Sequence, residues 1–410
     1  LTDSPTGAGA NDALAPALLS RFGSPLYVYD EAILRARCRA LRSAVPLPDV
    51  AYLYATKANT NPSLLAVVRE EGLGVDAVSL GEVDAALRAG FPAARISYNG
   101  NNVPSEELAA VLARGVHVSV DSAAQLERAA ALAPGAAFGL RVNPDVGDGH
   151  HAHVITGGPE SKFGVSPAEV PAVVARARAQ GVRIDGLHQH IGSGILDVAN
   201  LLRAVDVLLA VAPAVPDLRF VDFGGGFGVP YRPGERALDL AAFGAAVLPK
   251  LAEFRRRLGR AVEFRFEPGR YVVAECGTLY VTVTAVKRAA RHVFVGVDSG
   301  FNHLVRPTMY GAYHPIRNVT RPHAPLERVA VAGYVCESGD LFAKDRELPS
   351  PQEGDVLAIG VAGAYGYAMA STYNTRGRPA EVLIGLDGAP RLIRRRETLD
   401  DLARLDVAAD

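Results

Sequence analysis

Between residues 50 and 270 the chain alternates short apolar runs with longer amphipathic stretches rich in Ala, Leu, Arg and Glu. The apolar runs predict strands at Val50–Thr56, Gly74–Val78, Ile96–Tyr98, Val116–Val120, Phe138–Val142, Ile184–His188, Phe220–Phe223 and Phe264–Phe266. Segments such as Ser63–Glu71, Leu80–Ala89 and Ser105–Ala113 carry helical spacing, and Asn61-Pro62 and Pro104-Ser105 are suitable helix starts. Strand–helix alternation implies a parallel sheet with right-handed crossovers. Eight such units in so short a stretch fit a (β/α)8 TIM-type barrel better than an open doubly wound sheet.

After residue 270 the texture changes. Tyr271–Lys287, His292–Asp298, Arg328–Val335, Asp355–Ile359 and Ala380–Ile384 read as Val/Ile/Tyr-rich strands separated by Gly, Pro and Asn turns. The expected fold is therefore α/β plus β, a barrel followed by a separate, mostly antiparallel C-terminal β-domain. The run Pro25–Asp30 precedes the first barrel helix and is free to complete that second domain. The expected division is 35–285 for the barrel, with 1–34 and 286–410 for the β-domain.

Composition narrows the chemistry. Of 43 basic residues only five are lysines: Lys57, Lys162, Lys250, Lys287 and Lys344. Acidic residues number 44, and the formal net charge of −1 argues against a general nucleic-acid-binding surface. The Arg255–Arg257 and Arg394–Arg396 triplets read as solvated faces. Cys38, Cys276 and Cys336 are odd in number and far apart, which suits a reducing compartment rather than a disulfide framework or zinc site. Neither a secretory leader nor a membrane span is visible, so a soluble, cytoplasmic protein with no membrane partner is expected.

Polar residues gather where a barrel places its chemistry, at the C-terminal strand ends. In order these are Lys57, Asp76, Asn99, Asp121, Arg141, His188 with His190, Gly224–Gly226, and Glu267. Lys57 is the favoured nucleophilic lysine, because a desolvated amine has a depressed pKa and can form a Schiff base. An ion-pair role would leave it equally placed. Lys250 lies in a helical segment, Lys162 in a loop, and Lys287 and Lys344 beside turns. The run Gly224-Gly225-Gly226-Phe227-Gly228 could cradle an anion on backbone N–H groups. His188 and His190 are expected to face opposite ways, which disfavours joint metal binding; His150, His151 and His153 add no recognisable ligand spacing, and no metal is expected. One of the pair could stack on a planar cofactor. Ser193 reads as a polar contact suited to phosphate, and Glu267 could hold a pyridine nitrogen protonated.

Six motifs occur in order: Tyr54-Ala55-Thr56-Lys57-Ala58-Asn59, Ser161-Lys162-Phe163-Gly164, His190-Ile191-Gly192-Ser193, Gly224-Gly225-Gly226-Phe227, Glu267-Pro268-Gly269-Arg270 and Cys336-Glu337-Ser338-Gly339-Asp340. With them the chain, over about residues 25–385, resembles the fold-type III pyridoxal-phosphate decarboxylases, the ornithine, diaminopimelate and arginine decarboxylase family. The resemblance implies pyridoxal 5'-phosphate as cofactor, bound covalently by Lys57, stacked on by His190 and paired through its ring nitrogen with Glu267. It implies phosphate contacts from Ser193, Gly224, Gly225, Gly226, Gly269, Arg270 and Tyr365. It further implies a homodimer with shared active sites, in which Cys336 and Glu337 come from the partner subunit and Cys336 donates a proton.

The run Arg306-Pro307-Thr308-Met309-Tyr310-Gly311-Ala312-Tyr313-His314-Pro315 resembles the diaminopimelate subgroup. By that resemblance Arg270, Arg306, Tyr310, Glu337 and Tyr365 bind the substrate's distal end, through bidentate Arg–carboxylate contact and an ammonium partner. The implied reaction is decarboxylation of meso-2,6-diaminopimelate to L-lysine and CO2, the last step of lysine biosynthesis. A related basic amino-acid or carboxynorspermidine decarboxylase is the alternative. Two positions depart from the family pattern: Thr56 replaces an apolar residue, and Gly194 stands where many relatives have glutamine.

Overall fold

The computed structural model describes residues 9, 11–145 and 161–407; the His150, His151 and His153 cluster lies outside them. Seventeen strands occur among the described residues. They are β1 (Leu26–Asp30), β2 (Val50–Ala55), β3 (Gly74–Ala77), β4 (Ile96–Tyr98), β5 (His117–Val120), β6 (Ala137–Arg141), β7 (Arg183–His188), β8 (Phe220–Asp222) and β9 (Glu263–Phe266). There follow β10 (Gly277–Arg288), β11 (Val293–Val297), β12 (Ile316–Asn318), β13 (Leu326–Ala332), β14 (Leu341–Pro349), β15 (Val356–Ile359), β16 (Ala380–Ile384) and β17 (Pro390–Arg394).

Strands β2 to β9 close into a parallel eight-stranded barrel, with β2 paired to β9 through Val50↔Phe264 and Tyr52↔Phe266. The strands are largely apolar, as expected where helices cover their outer face. Helix Pro62–Glu70 is capped by the Asn61 side chain, which accepts from Ser63 N, and buries Leu64, Leu65, Val67 and Val68. Ser79 and Ser122 cap the helices Leu80–Arg88 and Ala123–Leu132 in the same manner. Helix Ser105–Leu112 begins after Pro104 without a side-chain cap. Inside the barrel, Phe220 fills space left by two glycines. A Cβ on Gly186 would come within 2.1 Å of its ring, and one on Gly139 within 3.1 Å.

The second sheet has nine strands in the order β14-β13-β11-β10-β1-β16-β17, with β15 pairing β10 and β12 pairing β15. All its pairings are antiparallel except β1 with β16 and β11 with β13. Leu26, Val28, Tyr280, Ala358, Val382 and Ile384 form its core with Leu18 of helix Ala15–Phe22. The Pro25–Asp30 run thus joins the β-domain, as strand β1.

The chain divides into two compact units, Arg35–Val229 with Arg236–Val272, and Leu1–Leu34 with Pro230–Glu235 and Val273–Asp410. Residues 273–285, expected in the barrel, fall in the β unit because β10 pairs with β1, β11 and β15. Tyr271 belongs to the short helix Arg270–Val273 rather than to β10. Lys344, expected beside a turn, lies within β14. The second arginine triplet is not simply a solvated face: Arg394 pairs with the buried Glu381 and covers the Tyr367 ring at 4.8 Å, and Arg396 donates to Pro25 O at 2.6 Å.

Candidate active site

Lys57 leaves the end of β2 in a single 3-10 turn, Thr56–Ala58, and its Nζ lies 3.3 Å from Asp76 Oδ2. Asp76 is buried on β3, and its other oxygen accepts from Asn99 Nδ2 at 2.9 Å. The same amide donates to Glu267 Oε1 at 2.7 Å, and Glu267 Oε2 lies 3.0 Å from His188 Nε2. One continuous polar chain therefore runs across the strand ends, from Lys57 through Asp76, Asn99 and Glu267 to His188. Each member follows from strand period and barrel closure: these strands end together on one face.

Beyond Glu267 the glycine turn is shaped by backbone contact. Gly224 has φ of +70°, and a Cβ there would come 2.0 Å from Gln189 O; one on Gly225 would come 2.2 Å from Glu267 O. Gly224 N donates to Asp222 Oδ1 at 2.9 Å and Gly225 N donates to His190 Nδ1 at 3.1 Å. That bond leaves the hydrogen of a neutral His190 on Nε2. Ser193 Oγ accepts from Arg270 Nε and Nη2 at 3.1 and 3.0 Å, which ties the Ser193 segment to the Glu267-Pro268-Gly269-Arg270 motif. Phe163 lies under the Arg141 guanidinium at 4.3 Å, and Gly164 N donates to Asp121 Oδ1 at 3.2 Å. The Ser161–Gly164 motif thereby folds onto the ends of β5 and β6.

Burial sets the electrostatics. It raises the Glu267 carboxyl well above the usual carboxylate range, with Asp76 adding to the rise and Lys57 and Arg141 opposing it. Burial also raises Asp222 strongly, with Glu267 adding to it, and lowers His188 to about 4. His190 is lowered by burial, then by Lys57 and Arg141, so its ring is neutral. Strand alternation sets positions two apart on one side, so the expected opposite facing of His188 and His190 does not follow from it; β7 ends at His188, whose ring meets Glu267, while His190 meets Gly225 N. Among the described residues, His188, Asp222 and Glu267 are one group whose potential ligand atoms lie within 4.8 Å of one another.

The remaining candidates belong to the β unit. Arg306 is buried in the helix Arg306–Tyr310, which also carries the half-buried Tyr310. The Arg306 Nη1 atom lies 2.9 Å from His314 Nε2, and its guanidinium covers the Tyr231 ring at 4.7 Å. Cys336 and Glu337 are exposed on the loop after β13; Cys336 N donates to Asn374 Oδ1 at 2.8 Å. Buried Asp340 fastens that loop, accepting from Phe301 N at 2.6 Å and Val335 N at 2.8 Å. Tyr365 holds the left-handed region with φ of +56°, a conformation tyrosine adopts only where its surroundings impose it.

Residues 31–274 match the family model described as pyridoxal-dependent decarboxylase, pyridoxal binding domain. Diaminopimelate decarboxylase of Methanothermobacter thermautotrophicus is 47% identical over 409 residues, covering 97% of this chain and 94% of that protein. The chain belongs to the pyridoxal-dependent decarboxylase family. Diaminopimelate decarboxylase of Escherichia coli K12 is 37% identical, with 95% of each chain covered. The crystal structure of diaminopimelate decarboxylase from Helicobacter pylori complexed with L-lysine superposes with a TM-score of 0.88 at 33% identity, covering 95% of this chain and 98% of that one.

The two positions expected to depart from the family pattern, Thr56 and Gly194, each make specific local contacts. The Thr56 hydroxyl lies 2.9 Å from both Asp76 O and Glu82 Oε2, so it gives a half-buried glutamate a partner beside Lys57. Gly194 has φ of +82° where its segment lies against Gly228, joined by Ile195 N to Gly226 O and Gly228 N to Ile195 O, both 2.9 Å. Asp222, Glu82 and His314 had no role assigned from sequence. Asp222 was visible in principle: strand alternation puts it on the same side as Phe220, inside the barrel. The other two emerge only from tertiary contacts.

Proposed function

We propose that the chain decarboxylates meso-2,6-diaminopimelate to L-lysine and CO2, the last step of lysine biosynthesis, with pyridoxal 5'-phosphate as cofactor. The observation that carries this reading is the unbroken polar chain from Lys57 to His188 beside a turn only glycine can make. The residues fit the cofactor. Glu267 is a buried carboxyl lifted by its surroundings, which a cationic ring nitrogen opposite it would return to the ionised form. When bound, pyridoxal phosphate supplies an electron sink for the bond to the departing CO2.

The chain's own residues do the rest. Lys57 Nζ, held near Asp76, would hold the cofactor covalently, and the flat neutral His190 ring would stack on it. His188 and Asn99 fix the Glu267 oxygens by hydrogen bonds, so its charge meets the ring nitrogen in one orientation. Gly224 and Gly225 shape the turn while their N–H groups serve Asp222 and His190; Gly226, Ser193, Gly269, Arg270 and Tyr365 would receive the phosphate. Arg270, Arg306 and Tyr310 would orient the distal carboxylate, with Tyr365 beside them. The assembly is a homodimer in which Glu337 of the partner subunit meets the distal ammonium. Each CO2 released consumes one proton at the reacting carbon, delivered by the Sγ of Cys336 of the partner subunit. L-lysine in the related Helicobacter pylori structure is the product of this reaction, which supports the substrate assignment. Three free cysteines support a cytoplasmic setting.

The test is the visible absorbance of the purified holoprotein and of Lys57→Ala. Wild type should show a cofactor band that borohydride reduces, and the variant should lack it. A retained reducible band would assign the attachment to another lysine. Turnover of ornithine equal to that of meso-diaminopimelate would overturn the substrate assignment.

A further inference from the structure

His314 is wholly buried and has both ring nitrogens engaged: Nε2 lies 2.9 Å from Arg306 Nη1 and Nδ1 lies 2.9 Å from Gly360 O. A carbonyl only accepts and a guanidinium only donates. The hydrogen must therefore be on Nδ1 and the lone pair on Nε2, so the two contacts specify one neutral tautomer. The ring is also held edge-on by Tyr231, with centroids 5.3 Å apart and planes at 81°. Tyr231 in turn lies under the Arg306 guanidinium. Arg306, His314 and Tyr231 are thus a mutually packed group on three separate segments, anchored through Gly360 next to β15.

The choice of a neutral acceptor has a chemical consequence. A carboxylate in place of His314 would orient Arg306 but would also neutralise much of its field. A neutral imidazole orients the guanidinium without itself neutralising it. Only one of five guanidinium N–H groups goes to His314 in this contact.

We propose that His314 is a positioning residue for substrate specificity: in its Nδ1–H tautomer it aims the Arg306 guanidinium at the substrate's distal carboxylate. The inference rests on the reading that Arg306 binds that carboxylate. It acts on binding of the non-reacting end, so it governs KM and leaves bond breaking at the other end largely untouched.

Three variants separate positioning from structural support. His314→Phe keeps the bulk and loses both contacts. His314→Gln places an acceptor near the Nε2 position, and His314→Asn keeps only a donor near Nδ1 for Gly360. Holoenzyme assays would give KM and kcat for meso-diaminopimelate, and inhibition constants for L-lysine, which keeps the distal carboxylate, and cadaverine, which lacks it. His314→Phe and His314→Asn should raise KM and the L-lysine constant together, by about 10- to 100-fold, the worth of a hydrogen bond to a charged group. Their kcat should stay within about threefold and the cadaverine constant should not move. His314→Gln should recover most of the loss. Equal recovery by Asn, or parallel weakening of cadaverine, would overturn the proposal. Arg306→Met distinguishes the two layers. If it leaves KM unchanged, the carboxylate reading fails and this inference with it. If it raises KM while His314→Phe does not, only this inference fails. Should the Phe variant not fold, the Gln and Asn comparison still decides.

Discussion

Asn99 joins the two halves of the barrel-mouth network, and its loss should be felt in cofactor affinity. One amide nitrogen with two hydrogens serves two buried carboxyls, Asp76 at 2.9 Å and Glu267 at 2.7 Å. Asn99→Ala removes both donors. A hydrogen bond to a charged group contributes about 1.5–3 kcal/mol. Asp76 still has Lys57 and Glu267 still has His188, so the effect on Glu267 is the loss of one bond of two. Because burial already favours the neutral acid there, the missing donor favours it further. A neutral acid cannot pair with a protonated ring nitrogen. The expected result is pyridoxal phosphate binding weakened by about 10- to 100-fold, at 1.4 kcal/mol per decade. Titration of cofactor-free protein with pyridoxal phosphate, read by its visible band, measures this, and a thermal melt shows that the variant is folded. Asn99→Asp, which adds a third acidic group, should be weaker still. A folded Asn99→Ala protein with Kd within about threefold of wild type would refute the idea that this network sets the charge of Glu267.

Gly224→Ala should be much less stable than Gly115→Ala. Both glycines have φ near +70°, but a Cβ meets Gln189 O at 2.0 Å in the first and nothing within 4 Å in the second. The left-handed strain alone is about 1–2 kcal/mol, so equal urea midpoints would contradict the close-approach argument. In thiol titration of the folded protein, Cys38 and Cys276 should react slowly, since both are buried and burial pushes the Cys38 thiol up to about 12. Fast modification that survives Cys336→Ser would be inconsistent with that packing. Stability of the cofactor-free protein should respond to Glu267 in one direction. Its folded carboxyl titrates at about 8 against 4.5 unperturbed, so its contribution is full below about 4.5 and lost as pH rises through about 8. The wild-type minus Glu267→Gln difference in unfolding free energy should therefore fall between pH 4.5 and 8; a rise would show that the carboxyl is ionised in the folded state.

The barrel was readable because each strand is a short, largely apolar run with a polar residue at or beside its C-terminal end, and the ends of β2 to β9 fall at or within a residue or two of the expected positions. The strands that escaped notice are edges or fragments. β14 carries Lys344-Asp345-Arg346-Glu347 in its middle, charges that keep an exposed edge from pairing further and that read as a turn. β17 begins with proline and holds two arginines, and β12 is three residues long. For the site, the one-dimensional pattern named Lys57, His188 and Glu267 but not who holds whom. Asn99 contacts Glu267 across 168 positions, and no local spacing encodes such a pairing. His314 was seen only as part of a motif, because its tautomer depends on Gly360, a carbonyl that every residue possesses.

Strand β1 lies between β10 and β16 in the second sheet, bonded to Tyr280 and its neighbours on one side and to Ala380–Ile384 on the other. This topology imposes an order in time. Every barrel strand is synthesised between β1 and its two partners, so the barrel can close while β1 still lacks both. Synthesis at about 5–20 residues per second separates Leu26 from Ala380 by on the order of 20–70 s. Both edges of this short apolar strand lack partners until β10 is made, and the edge that meets β16 lacks one for the whole interval. A chain stopped before residue 380 would hold a finished barrel and a sheet lacking β16 and β17, with one edge of β1 left open.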